Sequence, residues 1–142
     1  MGIIIFLVED EKLFADNIKL MIEYYEGYKV YHFTSGLDAL AAAKTIEPNL
    51  VISDVKMPLV NGFEFCELFR NAGFHHVPFL FLTCSANFDD MRKGMNLGAD
   101  DYLVKPVKII DLIKAIKIRL KRSVKIQEKY LIVKDTNTRV FR

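Results

Sequence analysis

Cysteine is scarce in this sequence, and long hydrophobic runs are absent. The 142 residues include two cysteines, Cys66 and Cys84, whose spacing matches neither a CxxC pair nor a set of metal ligands. We therefore expect two reduced, half-buried thiols. The apolar run at residues 3–8 is too short to span a bilayer, and no cationic segment precedes it as in a signal peptide. No other run is long enough, so the sequence predicts a cytoplasmic protein that does not enter a membrane.

A large excess of one charge sign is also absent, because the formal net charge is only +2. The charge is nevertheless unevenly distributed. Residues 114–142 carry ten Lys/Arg and two Asp/Glu, a net charge of +8, whereas residues 1–113 carry ten and sixteen, a net charge of −6. A basic C-terminal segment on an acidic body is compatible with nucleic-acid contact. It is also compatible with a solvated, lysine-rich helix face, which is the interpretation we prefer.

Apolar runs and amphipathic segments alternate along the chain, without internal repeats or low-complexity segments. Hydrophobic residues make up 51% of the sequence, enough for the core of one domain of this length. The predicted strands are residues 3–8, 28–33, 50–53, 77–82 and 102–104. The predicted helices are residues 11–26, a segment opened by a capping box at Ser35 and ended before Pro48, then 62–71, 89–97, and a last helix from 109 towards 128.

This alternation predicts an α/β fold. Near-continuous apolar strands favour a parallel sheet that is doubly wound, with helices on both faces. Right-handed crossovers leave few strand orders, and we expect the flavodoxin-like order 2-1-3-4-5. In such a sheet the ligand site lies beyond the carboxyl ends of the strands, at the switch point between strands one and three.

Polar residues of complementary chemistry end four of the predicted strands. They are Glu9 and Asp10 after strand one, Asp54 after strand three, Thr83 after strand four and Lys105 after strand five. If the strands are parallel, three carboxylates, a hydroxyl and an ammonium meet at one edge of the sheet. Such a set has the chemistry to bind a divalent cation and to accept a phosphoryl group.

Each of these residues also has an ordinary structural interpretation. Glu9 and Asp10 are acids that suit the N-terminus of a helix. Asp54 precedes a turn, where an Asx-turn residue is common. Taken singly, Thr83 fits a strand-end hydroxyl and Lys105 fits a surface lysine. Their joint placement at one edge favours the functional interpretation.

Four segments, in order, resemble the receiver domain of bacterial two-component response regulators. They are FLVEDE, VISDVKMPLVNGFEF, FLFLTCSA and GADDYLVKP, and the similarity covers roughly residues 3–122. The resemblance implies a CheY-like fold with a receiver domain at residues 1–122. Residues 123–142 would then be an extension of helix five and a strand-like tail.

The resemblance also implies roles for individual residues. Asp54 would accept a phosphoryl group from the phosphohistidine of a sensor histidine kinase or phosphotransfer protein. The ligands of Mg²⁺ would be the side chains of Glu9, Asp10 and Asp54 and the backbone carbonyl of Lys56. Lys105, which would precede a cis proline bond, would offset the charge of the phosphoryl group.

A switch is implied as well. Thr83 would donate to a phosphoryl oxygen, and Tyr102 would be the aromatic residue that moves with it, although a fixed, half-buried Tyr102 is the alternative. The output surface would be helix four, strand five and helix five. Several positions depart from the usual pattern of the family: Glu9 replaces an Asp, Lys56 a small or neutral polar residue, and Cys84 an Ala or Gly. Ser85 is at a position whose counterpart tunes hydrolysis.

The tail suggests a second domain. Residues 130–133 and 139–141 predict two strands, but an isolated hairpin is marginal and about 20 residues cannot form a domain. The pattern resembles the first strands of winged-helix or LytTR-type DNA-binding domains, so we expect DNA contact only through an output domain of which this is the start. A homodimer through helix four, strand five and helix five is also implied. Asp100, Asp101, Lys117 and Arg122 fit its charged pairs, whereas Ala115 replaces an expected arginine.

Three classes of function compete. The first is a phosphorylatable switch that controls an output, transcription or a partner protein, and is not a turnover enzyme. The second is a phosphatase of the haloacid-dehalogenase type, which needs a second Asp two residues after the nucleophile, where Lys56 stands. The third is a receiver-like module that binds partners without phosphorylation. The complete set of site residues favours the first.

Overall fold

The computed structural model describes residues 2–123, which form five strands and five helices in strict alternation. The strands are β1 (Ile4–Val8), β2 (Lys29–Phe33), β3 (Leu50–Ser53), β4 (Phe79–Thr83) and β5 (Asp101–Val104). The helices are α1 (Lys12–Glu26), α2 (Gly36–Ala43), α3 (Gly62–Asn71), α4 (Phe88–Asn96) and α5, whose described part is residues 109–123. The predicted continuation towards 128 and the two predicted tail strands lie outside the described residues.

The five strands form one parallel sheet in the order β2-β1-β3-β4-β5, which confirms the predicted fold class and strand order. Val8 of β1 is aligned with Ser53 of β3. The residues that follow these two strands therefore leave the sheet side by side. Thr83 of β4 is aligned with Val104 of β5, so Lys105 follows at the same edge. The register alone thus brings the predicted site residues to one edge.

Two apolar layers cover the sheet, one on each face. Side chains alternate along β4, where Phe79 and Phe81 face one layer and Leu80 and Leu82 face the other. The phenylalanine layer is completed by buried residues of α2 and α3, and the aliphatic layer by residues of α1 and α5. The Phe63 and Phe81 rings pack edge to face, with 5.4 Å between their centroids. Phe63, Phe65 and Phe69 of α3 are buried in the phenylalanine layer.

The helix ends follow local signals, with one difference from expectation. Gly27 ends α1 in the left-handed region (φ 69°), as glycine allows. Ser35 Oγ accepts from Asp38 N at 3.1 Å, which is the first of the two hydrogen bonds of the predicted capping box. The complete box is at α3, where Asn61 Oδ1 accepts from Glu64 N and Glu64 Oε1 accepts from Asn61 N. The side chain of Asp38 is one methylene shorter than that of Glu64.

Arg70 is a buried cation that the sequence analysis did not identify. Its Nη1 donates to the carbonyls of Phe74 at 2.7 Å and Val77 at 2.5 Å. Its Nη2 donates to Gly98 O at 2.9 Å and lies 3.3 Å from the Asp100 carboxylate. One side chain thus joins the α3–β4 and α4–β5 connections at the edge opposite the candidate site.

Smaller differences concern strand starts. We predicted that the fourth strand begins at Val77, but β4 begins at Phe79. Pro78 has no N–H to donate to the ladder, although its carbonyl accepts from Val51 N.

Within residues 2–123, no helix combines the length and the apolar character needed to cross a bilayer.

Candidate functional site

Three carboxylates meet where β1 and β3 end. One oxygen each from Glu9, Asp10 and Asp54 lies within 4.8 Å of the other two. Glu9 is buried, Asp54 is half-buried and Asp10 is exposed, so the cluster opens to solvent on one side. Hard oxygen ligands at these separations suit a divalent cation such as Mg²⁺, which also retains several waters. The donor set therefore fits the metal that the sequence predicts.

Lys105 brings a positive charge to this cluster from the end of β5. Its Nζ donates to Glu9 Oε1 at 2.6 Å and to Asp54 Oδ2 at 3.2 Å. The Phe14 ring covers the ammonium, with its centroid 4.0 Å from Nζ. Only 8% of the lysine side chain is exposed. The Lys105–Pro106 peptide bond is cis, as predicted.

Burial and neighbouring charges shift the pKa values of Glu9 and Lys105. Burial raises the pKa of Glu9 to about 7, although hydrogen bonds from Lys105 and Glu11 act in the opposite direction. For Lys105, burial by itself would lower the pKa. The hydrogen bond that Lys105 donates to Glu9 and the negative charges of Glu9 and Asp54 together outweigh burial and raise the pKa of Lys105. At neutral pH the lysine is therefore charged, whereas Glu9 changes its protonation state near this pH.

The Asp54 carboxylate is held at both oxygens. Val55 N donates to Oδ1 at 2.7 Å, which leaves Oδ2 directed to Lys105. The main chain is equally constrained, because Ser53 Oγ donates to Asp54 O at 2.8 Å. Gly62 packs so closely that a Cβ there would lie 1.9 Å from Asp54 O. We predicted this glycine only as the first residue of the third helix, so its contact with the site was not predicted.

Thr83 and Tyr102 are linked to each other through Ser85. Thr83 is buried at the end of β4, and its carbonyl accepts from Lys105 N at 2.8 Å. Thr83 Oγ1 accepts from Ser85 N at 3.2 Å. The Tyr102 hydroxyl is buried and donates to Ser85 O at 2.8 Å. The hydrogen bonds described for these two side chains do not include the carboxylate cluster.

Two of the positions that depart from the usual family pattern, Lys56 and Cys84, closely follow the site residues Asp54 and Thr83 in the sequence. The Lys56 side chain is exposed, as is Cys84. Cys66 is buried, and burial raises the pKa of its thiol to about 11. Neither cysteine is in a disulfide, as expected from their spacing, but the prediction that both are half-buried is wrong, because Cys66 lies in the core and Cys84 at the surface.

Three of the four residues predicted to pair across a dimer have partners within the chain. The Asp100 carboxylate is bound by Arg70 and also accepts from the main chain of β4. Lys117 Nζ lies 3.4 Å from Glu26 Oε1. Asp101 Oδ1 accepts from the N–H of the next residue at 2.8 Å. Asp100, Asp101 and Lys117 therefore each make a contact within one chain, and the predicted dimer pairs stay a prediction.

Comparison with known families gives a direct match. The family described as "Response regulator receiver domain" matches residues 5–117, which is most of the chain. The chain belongs to this family of receiver domains.

Curated relatives are similar over the same region. The transcriptional regulatory protein PcoR of Escherichia coli is 38% identical over 120 residues, which cover 84% of this chain and 52% of PcoR. The DNA-binding response regulator MtrA of Mycobacterium leprae is 32% identical over 120 residues, with 84% and 52% covered. The chain thus spans about half the length of the curated relatives it matches.

Solved structures share the fold over almost their whole length. A CheY-like receiver domain protein from Methanospirillum hungatei has a TM-score of 0.83 and 29% identity, covering 88% of this chain and 98% of that one. The chemotaxis protein CheY4 of Vibrio cholerae has a TM-score of 0.77 and 29% identity, with 82% and 98% covered. The CheY-like fold predicted from the sequence is confirmed.

Proposed function

We propose that this chain is a phosphorylation switch in which Asp54 accepts a phosphoryl group. The donor would be a phosphohistidine on a sensor histidine kinase or a phosphotransfer protein. The observation that carries the proposal is the position of Lys105, whose ammonium contacts both Glu9 and Asp54 at an edge where Asp10 also lies. Phosphoryl acceptance is the general function of the family to which the chain belongs.

The reaction is a displacement at phosphorus. A carboxylate oxygen of Asp54 forms the new P–O bond while the P–N bond of the phosphohistidine breaks, and the electron pair returns to the imidazole. Enzymatic phosphoryl transfer depends mainly on positioning and charge stabilisation. Val55 N and Lys105 Nζ each hold one oxygen of Asp54, so they restrict rotation of the carboxylate before the donor arrives.

Charge must also be balanced, because a carboxylate cluster repels a phosphoryl group. Glu9, Asp10, Asp54 and the backbone carbonyl of Lys56 would hold Mg²⁺, which when bound offsets negative charge on the phosphoryl oxygens. Lys105 carries a positive charge to the same place. The hydroxyl oxygen of Thr83 accepts from Ser85 N, which leaves the hydroxyl proton available for a phosphoryl oxygen.

The output surface in this proposal consists of α4, β5 and α5. On phosphorylation, the Thr83 hydroxyl would donate a hydrogen bond to the phosphoryl group. This would alter the hydrogen bonds that connect Thr83 through Ser85 to Tyr102, which lies in β5. Such a change biases a pre-existing equilibrium rather than creating a new state. On α4, apolar side chains are exposed at Phe88, Met91 and Met95, which suits a protein contact such as a homodimer.

Transcription is the output we propose. PcoR is named a transcriptional regulatory protein and MtrA a DNA-binding response regulator, and both are about twice as long as the region matched. Residues 1–122 would be the receiver, and residues 123–142 would lead into an output domain that contacts DNA. In this arrangement the receiver is a phosphoacceptor that acts only on its own aspartyl phosphate.

A small phosphodonor tests the proposal without knowledge of the kinase. The protein is incubated with acetyl phosphate and either Mg²⁺ or EDTA, and its intact mass is measured over time. With Mg²⁺ we expect the mass to increase by one phosphoryl group and then to return to its starting value over time. With EDTA we expect no increase. A folded protein that gains no mass with Mg²⁺ present would refute the proposal.

A further inference from the structure

A hydrogen-bonded group of three side chains lies at the start of α4, outside the carboxylate cluster. Asn87 is the N-cap, and its Oδ1 accepts from Asp90 N at 2.8 Å. Its Nδ2 donates to Asp90 Oδ2 at 3.1 Å and to Ser85 Oγ at 3.3 Å. Ser85 Oγ in turn donates to Asp90 Oδ2. The Asp90 carboxylate therefore binds the serine hydroxyl as well as the helix cap.

The main chain of Ser85 contacts both residues of the proposed switch. Its N–H donates to Thr83 Oγ1 at 3.2 Å, and its carbonyl accepts from the Tyr102 hydroxyl at 2.8 Å. Ser85 is only 6% exposed, so water has little access to replace these bonds. The side chain of Ser85 is held by Asp90 while its backbone holds Thr83 and Tyr102.

We propose that Asp90 is a positioning residue for phosphoryl transfer, which acts through Ser85 on the Thr83 hydroxyl and the Tyr102 ring. The inference rests on the proposed function, because Thr83 is the residue that would donate to the phosphoryl group. With Asp90 in place, the Ser85 N–H occupies a lone pair of Thr83 Oγ1 and orients the hydroxyl proton. Without this carboxylate, the serine hydroxyl loses its acceptor and the loop between β4 and α4 gains alternative conformations.

The favourable interaction of acidic residues with the helix dipole does not by itself account for the hydrogen bond between Ser85 and Asp90. Asp89 and Asp90 both lie in the first turn of α4, where an acidic side chain interacts favourably with the helix dipole. Of these two acids, Asp90 is the one that accepts a hydrogen bond from the Ser85 hydroxyl in the described part of the chain. The hydrogen bond from Ser85 also holds the pKa of Asp90 below its ordinary value, so the acceptor is ionised at neutral pH.

The same contact connects the site to the output surface. Gly94, in the middle of α4, packs against Phe81 and Tyr102 so tightly that a Cβ would lie 3.1 Å from both rings. Thus α4 is joined to Tyr102 both through this packing and, at its N-terminus, through Asp90 and Ser85. A change at Thr83 therefore has a direct route to the position of α4.

The test compares Asp90→Ala with Asp89→Ala, its neighbour in the same turn, and with Asp90→Asn, whose amide oxygen still accepts a hydrogen bond. Two quantities are measured: the rate of phosphorylation by acetyl phosphate with Mg²⁺, and the NMR signals of the Thr83 methyl group and Tyr102 ring in the unphosphorylated protein. For Asp90→Ala we expect a rate lowered about two- to tenfold, the size of one ordinary hydrogen bond, and displaced signals. Asp89→Ala should match the wild type, and Asp90→Asn should lie between.

Ser85→Ala provides a second test that leaves both partners of the capping bond from Asp90 N to Asn87 Oδ1 in place, and it should reproduce both effects of Asp90→Ala. The inference is overturned if Asp90→Ala and Asp89→Ala give the same rates and the same NMR signals. It is also overturned if the Asp90→Ala rate falls while Thr83 and Tyr102 keep their wild-type signals. The NMR comparison needs no phosphorylation, so a wild type that accepts no phosphate would contradict the proposed function alone.

Discussion

Lys105 Nζ lies 3.2 Å from Asp54 Oδ2, although the two residues are separated by 51 positions in the sequence and by β4 in the sheet. The same ammonium lies 2.6 Å from Glu9. When all four groups are ionised, the three carboxylates exceed the lysine by two negative charges. A divalent cation is the ligand that balances this difference.

Removing the ammonium should impair phosphorylation. Lys105→Met keeps much of the side-chain volume under Phe14 but leaves Glu9 and Asp54 without their cation. We expect the rate with acetyl phosphate to fall by about 10²-fold, as for loss of one preorganised charge partner. Lys108→Met, which alters an exposed lysine nearby, should retain the wild-type rate. Equal rates for the two variants would show that Lys105 has no part in the transfer.

Magnesium affinity should depend on pH. Because the pKa of Glu9 is raised to about 7, this carboxyl is protonated below that pH and deprotonated above it. A metal binds the deprotonated ligand, so the affinity for Mg²⁺ should rise as the pH increases through 7. Calorimetric titrations at about one pH unit on either side of this pKa measure the effect. In Glu9→Gln the rise should vanish, and an equally steep rise there would assign it to another group.

A methyl group at position 62 should disrupt the loop that holds Asp54. A Cβ there would lie 1.9 Å from Asp54 O, a backbone atom that cannot rotate away. We expect Gly62→Ala to destabilise the fold by about 1–3 kcal/mol, as overpacking usually does, and to slow phosphorylation. Gly2→Ala is the matched control because a Cβ there meets nothing within 4 Å. Denaturant unfolding of both variants gives the comparison, and a wild-type midpoint for Gly62→Ala would contradict this account.

Arg70 should support stability rather than chemistry, since it lies at the edge of the sheet opposite the site. Arg70→Ala leaves the carbonyls of Phe74, Val77 and Gly98 without their donor and Asp100 without its cation. We expect a loss of about 3–5 kcal/mol in the free energy of unfolding, because each of the three carbonyls left without its donor costs about 1–3 kcal/mol. Measured well below its unfolding transition, the folded variant should still accept phosphate. A stability change of only a few tenths of a kcal/mol would show that these contacts contribute little.

The fold and the cluster could be predicted because they follow from the order of elements. Parallel strands end at one edge, so polar residues after successive strands had to meet there, and Glu9, Asp10, Asp54 and Lys105 do. The role of each of these residues stays a prediction.

Contacts that depend on loop conformation could not be predicted in this way. The link from Asp90 through Ser85 to Tyr102 joins three segments whose relative positions no periodicity specifies. The carbonyls around Arg70 are likewise backbone atoms, which leave no sign in the sequence. The capping box at Asn61 and Glu64 was visible as N-x-x-E, although we did not predict it.

The location of the phosphoryl group tests the central claim most directly. The protein is phosphorylated with acetyl phosphate and Mg²⁺, the acyl phosphate is reduced with borohydride, and the modified residue is identified by peptide mass spectrometry. The account predicts reduction at Asp54 and no modification in Asp54→Asn. Modification at Asp10 or any other residue, or wild-type labelling of Asp54→Asn, would contradict it.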